Sequence, residues 1–184
     1  MKFAAIVLAA GSATRFGGDK LSAMLGGEPL IRHAIRAARA APVERVIVVA
    51  RSGLDIGEWE GGPPVERIEL ASNALSISLR AGIAAVHGMD GVFVFLGDMP
   101  RVPHQIASHL AAILGESYAA MPRYKGKPGH PVLLSASSFA DVERLTGDAG
   151  AGKLLKARGD IAFADCDNPG VMLDIDRPED LAGL

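Results

Sequence analysis

Two cations and a cluster of glycines stand together near the start of the chain. In FAAIVLAAGSATRFGGDKLSAML (residues 3–25), an apolar run fit for a buried strand, Phe3 to Leu8, passes into a loop with Gly11, Gly17 and Gly18 that carries Arg15 and Lys20. Glycines let backbone N–H groups approach an anion closely, and the cations supply charge where phosphates would lie, so the pattern fits a polyphosphate. The spacing is that of neither common phosphate loop. Phe16 stands five residues after Gly11 where a Walker loop has glycine, Leu21 follows Lys20, and Ala13 takes the second glycine position of a dinucleotide fingerprint. The plain alternative is a strand end followed by a flexible turn.

Asp98 is the second candidate. It lies in Gly97-Asp98-Met99-Pro100, just past the apolar run Val92 to Leu96. Open α/β sheets bind ligands in the crevice beyond the carboxyl ends of their strands. A carboxylate there suits a divalent cation held against phosphates, and magnesium takes one or two carboxylates plus phosphate oxygens and waters. The other reading of Asp98 is a cap on a turn or on the next helix.

The elements that must position these groups alternate along the chain. Pro29 opens a helix with Leu30, Ile31, Ala34, Ile35 and Ala38 on one face and Arg32, Arg36 and Arg39 outside. Val46 to Ala50 reads as a buried strand, Gly53 to Pro64 as a loop with room for a short helix, and Val65 to Leu70 as an edge strand. Ser72 or Asn73 caps a helix running to about Val86, and Pro103 starts another through about Leu114. Tyr118 to Met121 predicts a strand, Pro122 to Pro131 a shaped loop without regular structure, and Val132 to Leu134 a return to the sheet. Helical patterns at Ser137 to Leu145 and Gly150 to Arg158, a strand at Ile161 to Ala164 and a short helix after Pro178 follow. This alternation predicts an α/β fold, a single Rossmann-like three-layer domain over residues 1–184 with a mostly parallel sheet.

Composition narrows the function classes. The chain has 184 residues, 49% of them hydrophobic and 22% charged, which is enough for one proper core. A net charge of −2 argues against a dedicated nucleic-acid or acidic-membrane binder. The single cysteine, Cys166, excludes an internal disulfide and a multi-cysteine metal site. No signal peptide or membrane-length apolar run is evident, so a cytoplasmic enzyme is expected.

Leu8-Ala9-Ala10-Gly11, Arg15-Phe16-Gly17, Lys20, Gly97-Asp98-Met99-Pro100 and the segment Asp174 to Asp180 together resemble the MobA-like nucleotidyltransferases. Within them, LAAG, GDMP, the loop Lys125 to Pro131 and the turn Gly147 to Gly150 look most like the molybdenum cofactor cytidylyltransferase (MocA-type) branch. The resemblance implies binding of CTP with magnesium as cofactor, and transfer of CMP to molybdenum-bearing molybdopterin with release of pyrophosphate. It also makes docking to a molybdenum hydroxylase or its maturation factor an expectation; the charge and the apolar-run lengths above give the expectation of no nucleic-acid or membrane partner. Guanylyl transfer, another phosphorylated acceptor, and a non-catalytic binding or delivery module are the alternatives.

Residue by residue, Lys20, Arg15 and Asp98 are the catalytic candidates. Leu8, Ala9, Ala10, Gly11, Gly17, Gly18, Lys20, Asn73 and Ser78 are the candidates for nucleotide contact, Asn73 being equally a plain helix cap. Asp98 and Asp174 are the metal candidates, Asp174 with a structural role as its alternative, while Asp176 is expected to cap the last helix. Arg177 stands where relatives often have threonine, which puts that cap geometry in question. Lys127, His130 and Asp148 are the acceptor-site candidates; His130 also reads as a structural histidine and Asp148 as an ordinary turn residue.

Overall fold

Every residue of Phe3–Ala9 (β1) is apolar, and a strand of that kind must be covered on both faces and both edges. A computed structural model of the chain describes residues 1–11, 16–71, 74–156 and 158–183, and in it β1 lies inside the sheet. Its neighbours are Val46–Ala50 (β4) on one side and Gly91–Leu96 (β6) on the other, both parallel to it. Between β1 and β4 come a small hairpin, Met24–Leu25 (β2) with Glu28–Pro29 (β3), and the helix Leu30–Arg39 (α1).

Val65–Glu69 (β5) closes one edge beside β4, as its mixed pattern predicts. The helix Leu75–Ala84 (α2) leads into β6, and Ile106–Ile113 (α3) into Ala119–Tyr124 (β7). Lys127–Pro128 (β8) folds back on β7, and Val132–Ser135 (β9) runs antiparallel between β6 and β7. Phe139–Glu143 (α4), Ala151–Leu155 (α5), the far edge strand Ile161–Asp165 (β10) and Pro178–Ala182 (α6) complete the order. The main path across the sheet is β10-β7-β9-β6-β1-β4-β5. The expected α/β architecture with a mostly parallel sheet and helices on both faces is therefore present.

Alternation along the strands divides the core in two. Phe3, Ala5, Val7, Val46, Val48, Phe93 and Phe95 face α1 and α3, where Ile31, Ile35, Ile106 and Leu110 meet them. Ala4, Ile6, Ile47, Val49, Val92 and Val94 face α2, α4 and α5, against Leu79, Ile83, Val142 and Leu155.

Several boundaries differ from the sequence reading. α3 starts at Ile106 rather than Pro103, whose carbonyl instead accepts from the Ile106 N–H at 3.2 Å. α2 ends at Ala84, and no helix occurs within Gly53 to Pro64. The proposed caps Ser72 and Asn73 lie outside the described residues. The largest correction concerns Pro122 to Pro131. β7 runs through Pro122 to Tyr124 and turns at Lys125 (φ 48°) and Gly126 (φ 79°) into β8, a two-residue hairpin loop with positive φ at both positions. Pro122 is tolerated because β9 pairs with β7 only at Ala119 and Ala120, before it, and its carbonyl still accepts from Gly129 N–H at 2.9 Å.

Beyond that hairpin the backbone of residues 129–130 packs directly on residue 171. His130 N–H donates to the Val171 carbonyl at 2.7 Å, and a Cβ added at Gly129 would lie 2.4 Å from the same oxygen. Gly129→Ala must push the two segments apart. We expect it to lower unfolding stability by about 1–3 kcal/mol, read from the urea midpoint at unchanged m; an unshifted midpoint would contradict this packing.

Candidate functional site

Register brings the chemistry together. Ala9 pairs with Ala50, and Leu8 with Leu96, so β1, β4 and β6 end at one edge of the sheet. Ala10-Gly11, Arg51 and Gly97-Asp98 therefore leave the sheet side by side. Here the strand order reverses, because the chain moves from β1 out to β4 and β5 and then returns to β6 on the opposite side. That is where a ligand crevice is expected in such a sheet.

Lys20 is delivered to this edge by the short 3-10 turn Lys20–Ser22, anchored by buried Leu21. Its ammonium donates to Asp98 Oδ2 at 2.7 Å and to Asp176 Oδ1 at 3.3 Å. Burial pushes the Lys20 pKa down, but the bonds and charges of Asp98 and Asp176 outweigh it and leave the value above normal, so the lysine is a cation at neutral pH. Asp98 is held from behind by its backbone: Gly97 N–H donates to the Leu8 carbonyl and Ile175 N–H to the Asp98 carbonyl, both at 3.0 Å. Gly97 permits this approach, since a Cβ there would lie 3.0 Å from Ile31 Cδ1 and 3.1 Å from the Leu8 oxygen.

Lys20 and Asp98 face a cleft of about 510 Å³. Of the residues the sequence assigned to nucleotide, Leu8, Ala9, Ala10, Gly11, Gly18, Lys20 and Ser78 line it, whereas Gly17 does not and instead forms the adjoining turn with φ 73°. Ser78 is buried and its hydroxyl donates back to the Ala74 carbonyl at 3.4 Å. Arg15 and Asn73 lie outside the described residues.

Two side chains at this site escaped sequence reasoning. Arg51 lines the cleft and pairs with Asp19, whose carboxylate also accepts from the Ser22 hydroxyl. Its signal was present: a cation immediately after a fully apolar strand, matching Gly11 and Asp98 in position. Asp176 is a correction. It was expected to cap α6, but Asp180 does so, its Oδ2 accepting from the N–H groups of Asp176 and Arg177 at 2.9 and 2.8 Å. The Asp176 carboxylate is left to reach Lys20.

A second pocket of about 230 Å³ lies on the other side of Leu96, which borders both. Met99, Gly129, His130, Val171, Met172 and Asp174 help to form it. His130 Nδ1 is buried there without a hydrogen-bond partner. Burial pushes the imidazole pKa down, against smaller upward contributions from the Val94 carbonyl and the carboxylates of Asp98 and Asp174. Lys127 is exposed on β8 near this pocket but does not line it. Asp148 is not brought to it. The Gly147 carbonyl accepts from both the N–H and hydroxyl of Ser76, which ties the Asp148 turn to the start of α2, over the sheet face opposite Met99 and Val171.

Residues 5–162 match the family model of the MobA-like NTP transferase domain. The chain belongs to this family. It is a nucleotidyltransferase of the MobA-like type. It is similar to the purine catabolism protein PucB of Bacillus subtilis, 30% identical over 189 residues that cover 95% of this chain and 92% of that protein. It is also similar to a probable molybdenum cofactor guanylyltransferase of Pyrococcus horikoshii, 32% identical over 151 residues, 80% of this chain and 75% of that one. Among solved structures, Rv0371c of Mycobacterium tuberculosis in complex with manganese covers 100% of this chain and 97% of its own at 25% identity, with a TM-score of 0.81.

A MobA-like transferase calls for a divalent cation, and the donor chemistry here fits one. Among the described residues no group of three or more His, Cys, Asp or Glu side chains is set to enclose a metal. Asp98 stands at the cleft, and Asp174 and Asp176 flank Ile175, whose backbone is tied to Asp98. A hard cation that takes one or two carboxylates and fills its shell with phosphate oxygens and water suits that arrangement; a zinc-type cage does not.

The His130 environment carries a pH signature. An unfolded histidine titrates near 6.5, whereas burial holds the folded one lower, so stability is full above that value and is lost as pH falls through the folded pKa. Urea unfolding from pH 8 to 5 should show this acid-side loss in the wild type and less of it in His130→Phe. An identical fall in both would place the titration elsewhere.

Proposed function

We infer that the chain transfers CMP from CTP to the terminal phosphate of molybdenum-bearing molybdopterin, releasing pyrophosphate, with residues 1–184 acting as one catalytic domain. The observation that carries the reading is the cleft in which the glycine loop after β1, Lys20 and Asp98 meet at one sheet edge. The spellings Leu8-Ala9-Ala10-Gly11 and Gly97-Asp98-Met99-Pro100 support cytidine over guanosine by family resemblance. Guanylyl transfer is the second reading, favoured by the name of the Pyrococcus horikoshii relative.

In the proposed reaction an acceptor phosphate oxygen attacks the α-phosphorus in line, forming one P–O bond as the bond to the bridging oxygen of pyrophosphate breaks and takes the electron pair. A phosphate monoester is already largely ionised near neutrality, so no general base is needed. The task of the protein is to hold two anions together and to stabilise charge on the leaving group. Loop N–H groups from Gly11 to Gly18 and the Lys20 ammonium serve the β- and γ-phosphates, with Arg15 as a further cation. Asp98, with Asp174 or Asp176, would hold magnesium, which when bound neutralises phosphate charge and lowers repulsion toward the attacker. Ser78 and Asn73 serve the ribose and base end.

The second pocket, with its unpartnered His130 Nδ1, supports an acceptor subsite across Leu96 from the nucleotide, with Lys127 at its rim. Asp148, tied to α2, fits the nucleotide side better than the acceptor side. No helix among the described residues is long and apolar enough to cross a membrane. We take the site of action to be the cytoplasm, with transient docking to a molybdenum hydroxylase or its maturation factor.

Pyrophosphate release with magnesium, molybdenum-loaded molybdopterin and CTP, GTP or ATP in turn tests the substrate. CTP should support turnover far better than the others; turnover with GTP alone would transfer the reading to guanylyl transfer. Asp98→Ala should fold, because its side chain is 24% exposed, yet lose about 10²–10³-fold in kcat/KM. Wild-type turnover in that variant would overturn the assignment of Asp98.

A further inference from the structure

Lys20 joins carboxylates from distant parts of the chain, 78 residues away at Asp98 and 156 residues away at Asp176. The contact with Asp98 Oδ2 is 2.7 Å and the lysine side chain is only 13% exposed, so the ammonium sits close against that oxygen rather than ranging through solvent. Nucleotide and metal make opposing demands on these atoms. A triphosphate needs the ammonium, and a divalent cation needs the carboxylate oxygens that the ammonium occupies. A dication placed on Asp98 with Lys20 still at its post would face a like charge within one carboxylate's width, in a cleft where screening is weaker than in bulk water.

We propose that Lys20 is an internal competitor for the divalent cation: it holds Asp98 and Asp176 in the nucleotide-free protein and yields them when a triphosphate draws the ammonium away. The inference rests on the reading of Asp98 as the metal-facing carboxylate. Its consequence is positive coupling between nucleotide and cation. Phosphates release the lysine, the freed carboxylate accepts the metal, and by reciprocity the metal tightens nucleotide binding by the same factor. The nucleotide-free enzyme then has little affinity for a bare divalent cation. A lysine that merely props the carboxylates in place would act with the opposite sign, since its removal would weaken metal binding.

The sign is measurable without turnover. Mn²⁺ binding to the nucleotide-free chain, followed by the electron paramagnetic resonance signal of free Mn²⁺, compares wild type, Lys20→Met and Lys20→Arg, with thermal melts as a control for folding. Lys20→Met leaves no stranded buried charge, because Asp98 and Asp176 are 24% and 46% exposed. It should bind Mn²⁺ about tenfold more tightly than wild type, within the usual range of coupling factors. Lys20→Arg keeps the competing charge and should stay near wild type, and adding Asp98→Asn to Lys20→Met should abolish the gain. Affinity in Lys20→Met equal to or below wild type, or no binding by either chain, overturns the competition. Failure of the underlying reading would appear separately, as undiminished turnover in Asp98→Ala.

Discussion

An all-apolar first strand constrains everything else in this molecule. β1 presents no polar side chain to solvent on either face, so it must be bracketed by strands and covered by helices. β4 and β6, whose residues are also nearly all buried, take the flanking places in parallel register. Once three such strands lie in register, their carboxyl ends emerge together, and the first polar or conformationally free residue after each is delivered to the same crevice. The site is thus a consequence of burial: Gly11, Arg51 and Asp98 converge because the residues before them avoid water.

Among the described residues of that crevice, cations and carboxylates are paired. Lys20 is matched by Asp98 and Asp176, and Arg51 by Asp19. Among the described residues, the two cations that line the cleft, Lys20 and Arg51, are therefore already engaged, and a polyanion that bound there would have to exchange these partners rather than meet free positive charge. Such exchange suits a reaction that consists of positioning anions, because opposed carboxylates keep the cations oriented. The net charge of −2 is consistent with this balance, and with specificity resting in local geometry rather than in a long-range field.

The C-terminal segment shows how one short stretch serves two cavities. Ile175 is fully buried and hydrogen-bonds the Asp98 carbonyl, which fixes the depth of the segment. Asp174 then borders the smaller pocket with His130, while Asp176 reaches Lys20 beside the larger one. The hairpin β7–β8 and the Gly129 contact with Val171 hold the His130 side of the same wall. Both cavities thus depend on a segment near the end of the chain packing against loops that follow β6 and β7.

Local patterns in the sequence were enough to determine the strands β1, β4 and β6, the helix α1 and the edge position of β5, because apolar runs and periodicity report burial directly. They also marked Lys20 and Asp98, since each follows a strand or sits in a glycine-rich turn. They missed the β7–β8 hairpin, where proline content outweighed the pairing that neighbouring strands impose. They also assigned Asp176 to the nearest helix end, a role that Asp180 fills. Only the tertiary structure decided that Asp176 joins Lys20, that Arg51 lines the cleft, and that His130 and Asp148 part company across the sheet. Those outcomes depend on strand order and on partners up to 156 residues apart, and no local pattern records which strand ends become neighbours.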